Sequence, residues 1–158
     1  MSMSKVYFTK EITSESLLKI YAALGKELKG KTCVKLSTGE AGGHNFLSPQ
    51  LIEPLVTKLQ GTIVECCTAY KGKRIDPEDH WRVIKEHGFL DIAPCDIMDE
   101  KGDAAIPVNN GMHLKENYIG ENFKNYDSML ILSHFKGHPM GGYGGAIKQV
   151  SIGVASSF

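Results

Sequence analysis

The chain has 158 residues, enough for one domain with a buried core, and 42% apolar with 23% charged residues is the composition of a folding chain. Eighteen basic and eighteen acidic residues cancel, which removes the cationic footprint of a nucleic-acid binder. No apolar run approaches the roughly 18 residues of a membrane span, and Met1-Ser2-Met3-Ser4-Lys5 does not lead into a signal-peptide core. A cytoplasmic protein with no nucleic-acid and no membrane partner is expected.

In chain order, Lys5-Val6-Tyr7-Phe8-Thr9 predicts a first strand. Thr13-Ser14-Glu15 can cap a helix, and Leu17, Leu18, Tyr21, Ala22 and Leu24 continue it at helical spacing as far as Leu28, before Lys29-Gly30 stops it. Thr32-Cys33-Val34-Lys35-Leu36 predicts a second strand. Ser48-Pro49 starts a helix, because proline is favoured at the first helical position; Pro54 within it predicts a kink or an early break. Thr62-Ile63-Val64-Glu65-Cys66 is the third strand.

Asp76-Pro77 opens a helix that closes at His87-Gly88, with His80 and His87 expected on its exposed face. A shorter strand is expected near residues 90–98, then an acidic turn, Asp99-Glu100-Lys101-Gly102-Asp103. In the weaker pattern that follows, Ile106-Pro107-Val108 and Tyr118-Ile119 are candidate edge strands. Met129-Leu130-Ile131-Leu132 predicts a last, fully buried strand.

Strands alternate with helices and are apolar on both faces. That pattern defines an α/β fold, a mainly parallel open sheet flanked by helices, in a single domain over residues 1–158. The cysteines, Cys33, Cys66, Cys67 and Cys95, lack the short repeated spacing of a zinc or iron–sulfur site. Reduced thiols are expected, with Cys67 singled out because it lies at a strand end.

Ligands of open parallel sheets settle beyond the carboxyl ends of the strands, so the loops that follow each strand carry the functional reading. They are residues 37–45, residues 67–74 and residues 133–148. The last packs two imidazoles, two ammonium groups, a hydroxyl and five glycines into sixteen residues, a mixture that apolar packing does not need. It is neither a Walker A loop, whose second glycine would fall on Ala146, nor a Rossmann fingerprint, which would need glycine at Ile147. The plain alternative is a surface loop with a coincidental histidine pair.

Lys136, Lys148, Lys71, Lys73 and Arg74 favour an anionic ligand, although residues 71–74 also read as a solvated turn. Backbone amides of Gly141, Gly142, Gly144 and Gly145, leading into a helix at Ala146, suit an anion. His134 and His138, four apart in a stretch broken by glycine and proline, suit either acid/base work or a softly held metal. Glu40 and Glu65 are candidate partners for them, or simple strand-end caps. One pocket is therefore expected, with His134, His138 and Lys136 as catalytic groups and His134 and His138 as possible metal ligands. Thr38, His44, Asn45, Tyr70, Arg74, Gly141, Gly142, Gly144, Gly145 and Lys148 would line it around a small anion.

Leu36-Ser37-Thr38-Gly39-Glu40, Gly43-His44-Asn45-Phe46-Leu47, Thr68-Ala69-Tyr70-x-Gly72-x-Arg74, and Ser133-His134-Phe135-Lys136-Gly137-His138 through Gly144-Gly145-x-x-Lys148 together resemble the domain of unknown function 362 family. Members of that family are often described as iron–sulfur centre proteins and commonly continue into a ferredoxin-like segment with clustered cysteines. The resemblance implies that any iron–sulfur cluster belongs to such a C-terminal segment, which these 158 residues do not include; no cofactor is assigned within them. The family usually shows Lys-Asn where this chain has Lys148-Gln149. The Gly-Gly-x-x-Lys segment alone is faintly similar to the nickel-pincer lactate racemase family, which implies an α/β site for an anionic ligand.

Two functional readings stand at this point. One is a ligand-binding or catalytic α/β domain for an anionic small molecule, the front part of an iron–sulfur-linked oxidoreductase. The other is a non-catalytic docking module for a cluster-bearing or other partner protein. The apolar run Ile152-Gly153-Val154-Ala155 adds the expectation of an exposed apolar patch, for a redox partner or a homo-oligomer.

Overall fold

The computed structural model describes residues 4–157. Four parallel strands form the central sheet: β1 (Thr32–Lys35), β2 (Thr62–Glu65), β3 (Cys95–Ile97) and, after two further strands, β6 (Ser128–Ile131). Their order is β3-β2-β1-β6, with Val34 beside Ile63 on one side and beside Leu130 on the other. Strand alternation sends Val34, Ile63 and Ile97 into one core and Cys33, Val64 and Met98 into a second.

Three helices serve the first core: α1 (Ser14–Ala23), α2 (Pro49–Leu59) and α3 (Pro77–Glu86). Ile52 and Val56 of α2 and Ile84 of α3 are buried there, with Leu17 of α1 packed against it. The second core is closed by a hairpin of β4 (Asp103–Pro107) and β5 (Glu116–Gly120), through Ala104 and Ile119, and by Val154 near the chain's end. A second hairpin, β7 (Lys136–His138) with β8 (Gly142–Gly144), follows β6 and leads into the short helix α4 (Ala146–Ser151).

The helix starts follow from their caps. Thr13 and Ser16 exchange hydrogen bonds as a capping box, and the Asp76 carboxylate accepts from the amides of Glu78 and Asp79. Pro54 does not break α2, which runs on to Leu59. Proline at 54 cannot donate to the Gln50 carbonyl; the Ser14 hydroxyl of α1 lies beside it, 2.9 Å from the Leu51 carbonyl and 3.3 Å from that of Gln50.

Several expectations are corrected. Residues 5–9 form no strand; Val6 and Phe8 are 88% and 82% exposed, and no sheet edge receives them. Helix α1 ends at Ala23, before Gly25 takes a φ of +59°. The last parallel strand is not fully buried: β6 is half-buried throughout, because it is hydrogen-bonded to β1 alone. The run at residues 152–155 is not a continuous patch. Ile152 is exposed, but Val154 is buried and its carbonyl accepts from the Gly120 amide at 3.2 Å.

Candidate functional site

Parallel strands put the three loops after β1, β2 and β6 on one rim of the sheet. The centre of that rim is a buried carboxylate. Glu65, the last residue of β2, is 4% exposed. Its Oε1 accepts from the Thr38 amide at 2.6 Å and from the Thr38 hydroxyl at 2.9 Å. The Arg74 guanidinium donates to the same oxygen through Nη1 at 3.4 Å, and Oε2 accepts from Lys35 Nζ at 3.1 Å. His80 Nε2 lies 3.9 Å from Oε1.

Burial alone would raise the Glu65 pKa, but the charges of Lys35 and Arg74 and the adjacent His80 outweigh it and hold the carboxyl well below the ordinary carboxylate range. Lys35, 1% exposed, also donates to the Leu36 carbonyl at 2.7 Å and to Gln149 Oε1 of α4 at 3.2 Å. Arg74 Nη2 pairs with the Glu40 carboxylate and donates to the Tyr70 hydroxyl at 2.8 Å, while that hydroxyl donates to Glu40 at 2.7 Å.

The expected ligand contacts divide accordingly. Thr38 is fully buried with both donors on Glu65, and Arg74 is engaged by two carboxylates through Nη1 and Nη2, which leaves its buried Nε without a partner among the described residues. Tyr70 is half-exposed but bonded to Glu40 and Arg74. His44 and Asn45 are exposed on the loop before α2. Glu40 and Glu65 partner Arg74 rather than His134 or His138.

The β7–β8 hairpin carries the remaining candidates. Lys136 pairs with Gly144 and His138 with Gly142, so pleating puts both side chains on one face and Phe135 and Tyr143 on the other. Phe135 and Tyr143 meet there with ring centroids 6.3 Å apart. His138 Nδ1 accepts from the Gly141 amide at 3.1 Å and fixes the hairpin bend. His134 Nδ1 and Ser133 Oγ, just after β6, are buried atoms without a hydrogen-bond partner among the described residues. A side chain at Gly144 would press on Lys148 Cδ, 3.3 Å away, which places that lysine against the hairpin.

Burial lowers the Lys136 pKa, and the charges of Lys148 and Arg74 lower it further. Among the described residues its ammonium donates only to the His134 carbonyl, at 2.9 Å, and the Lys148 side chain makes no hydrogen bond or ion pair. Every one of the eighteen acidic residues precedes residue 128. The expected anion-binding helix start is modest, since α4 has six residues and Gly145 caps it.

His80 and His87 are not surface residues. His80 is fully buried between Glu65 and Cys67, whose Sγ lies 3.8 Å from Nδ1. His87 stacks on Phe46 at 4.2 Å between centroids, and its Nδ1 lies 2.6 Å from the Thr38 carbonyl. The signal was in the periodicity: positions 80, 84 and 87 share the helical face of Ile84. Cys67 is not a reactive strand-end thiol, because it is buried and burial pushes its pKa up to about 12.

Among the described residues no three His, Cys, Asp or Glu side chains gather as a metal site, and all four thiols are free. Burial pushes Cys33 up to about 11 and Cys95 up to about 12. These residues do not fit an iron–sulfur cluster. No helix among them is long and apolar enough to cross a membrane.

A four-stranded parallel sheet flanked by helices, with the loops after β1, β2 and β6 on one charged rim, defines an α/β protein. The chain belongs to the family described as Domain of unknown function (DUF362), which it matches over residues 32–158. Comparison with curated proteins and with solved structures gives no match.

Proposed function

We propose that this rim binds a small anionic molecule through Lys136 and Lys148, with His134 and His138 beside it as proton-transferring groups. The observation that carries the reading is the set of cations Lys136, Lys148 and Arg74, of which only Arg74 has carboxylate partners among the described residues. Two ammonium groups brought together without a counter-charge repel each other, and an anion between them relieves that repulsion. The buried, unpartnered Nδ1 of His134 gives the site one unused donor or acceptor. Glycine at 142 and 144, opposite His138 and Lys136, keeps side chains away from the cationic face of the hairpin.

A second reading is favoured by exposed apolar side chains of the hairpin and the start of α4. Phe135, Met140, Tyr143 and Ile147 are 70%, 94%, 64% and 87% exposed, more apolar surface than a short solvated hairpin requires. A docking role for a partner protein rests on these side chains alone, and Phe135 and Tyr143 lie on the face of the hairpin opposite Lys136 and His138.

The test is a titration with inorganic phosphate, and separately sulfate, read by NMR at the amides of residues 136–148. Saturable shifts are expected, and Lys148→Met should weaken the affinity about tenfold, the loss of one charge-assisted hydrogen bond of about 1.5 kcal/mol. Shifts that never saturate, or a Lys148→Met variant with unchanged affinity, would overturn the reading.

A further inference from the structure

We infer that Glu65 is the positioning residue of the anion site, tied directly to the loops after β1 and β2 and, through Lys35, to the helix α4 that follows the third loop. This rests on the anion-binding reading above and goes beyond it, because Glu65 itself faces no ligand. The loop after β1 is held by two donors of Thr38, one amide and one hydroxyl, on the same carboxylate oxygen. The loop after β2 is held by Arg74, which spans Glu65 and the exposed Glu40 and so aligns one loop with the other. The third element is reached through Lys35. Its ammonium joins Glu65 Oε2 to Gln149 Oε1, the neighbour of Lys148 in α4.

Close packing supports that last link. A side chain at Gly153 would lie 3.0 Å from Lys35 Cε, so the end of α4 rests on the lysine stem as well as on its charge. Lys35 cannot turn away to solvent, being 1% exposed. A buried ammonium keeps its charge only with a partner, and Glu65 is the only carboxylate within ion-pair distance of it among the described residues. The position of α4, and of the Lys148 ammonium, therefore depends on a carboxylate in another strand.

Simple electrostatics and positioning make opposite forecasts. Removing a negative charge beside a cationic site strengthens anion binding if field alone matters. Removing the tie that aligns the cations weakens it. Glu65→Gln separates the two, since glutamine keeps the shape and an acceptor for Thr38 but not the charge. The phosphate affinity of Glu65→Gln is expected to fall about threefold or more, the effect of losing about one hydrogen bond. Thr38→Val and Gln149→Leu keep the Glu65 charge and cut one tie each; each should weaken phosphate binding about two- to threefold, and they carry the test if Glu65→Gln does not fold.

Hydrogen exchange without ligand supplies an independent readout. Protection should fall together at residues 37–40, 68–74 and 145–151 in Glu65→Gln, but only at 145–151 in Gln149→Leu. Equal or tighter phosphate binding in all three variants overturns the inference. So does unchanged exchange at residues 145–151 in both Glu65→Gln and Gln149→Leu. Should wild type bind no phosphate, the anion reading fails by itself, and the exchange pattern still decides whether Glu65 couples the loops.

Discussion

Lys35→Met is the most direct probe of how the rim is held. Methionine preserves the length and apolar stem of lysine, so packing against Gly153 survives and only the ammonium is lost. Removing one partner of a buried pair costs about 3–5 kcal/mol, because the other charge is left uncompensated. Here Glu65 retains Arg74 at 3.4 Å and both Thr38 donors, so the lower end, about 3 kcal/mol, is expected. With a urea slope of about 2 kcal/mol per molar, the midpoint falls by about 1.5 M.

The pH profile adds a second signature. A carboxyl whose folded pKa is depressed contributes stability above its unfolded pKa, and that contribution is lost as pH falls. For Glu65, facing Lys35, Arg74 and His80, the loss in wild type sets in below about pH 4.3, the ordinary glutamate value, and deepens with further acid. In Lys35→Met the folded pKa moves up, so less of this stability exists to be lost. Urea denaturation by circular dichroism between pH 3 and pH 7 would measure both. A midpoint change under about 0.5 M at neutral pH, or an acid profile identical to wild type, would refute the ion-pair account. Combining Lys35→Met with Glu65→Gln should recover part of the loss, since no buried charge is then left without its partner.

The thiols should be inert in the native protein. Burial raises all four, Cys67 to about 12, so labelling with a maleimide at neutral pH should be slow until urea unfolds the chain. Gly39→Ala should destabilise far more than Gly42→Ala. Both glycines have positive φ, which costs a non-glycine residue about 1–2 kcal/mol, but at Gly39 the added carbon would also lie 2.5 Å from the Phe46 ring, whereas at Gly42 it meets nothing within 4 Å. Thermal unfolding of the two variants measures the difference.

The parallel strands and the α2 and α3 starts were legible because their signals are local. Pro49 and Pro77 stand at the first helical positions and Asp76 caps its helix, and Cys33-Val34 and Ile63-Val64 are apolar on both faces. Residues 5–9 show the limit of that logic, since strand propensity means nothing without an edge to pair with. The charged centre of the rim was the larger omission. Lys35 stands inside an apolar run and Glu65 ends another, and two opposite charges in neighbouring buried strands are best satisfied by each other. Pairing them requires knowing that β1 and β2 are adjacent, which is a property of the sheet and not of either segment. The same holds for Arg74, which reads as part of a solvated basic turn until Glu40 and Glu65 are seen to flank it.

The order of the sheet also dictates an order of assembly. The Lys35–Glu65 bond closes a separation of 30 residues and the Lys35–Gln149 bond one of 114, a difference of about 1.2 kcal/mol in loop-closure entropy. During synthesis β1, β2 and β3 can pair while β6 is still unmade, leaving one edge of β1 open and the rim without its third loop. Both partners of the buried ion pair are then already made before the hairpin and α4. Lys136 and Lys148 follow every acidic residue of the chain in synthesis, Glu40 and Glu65 included.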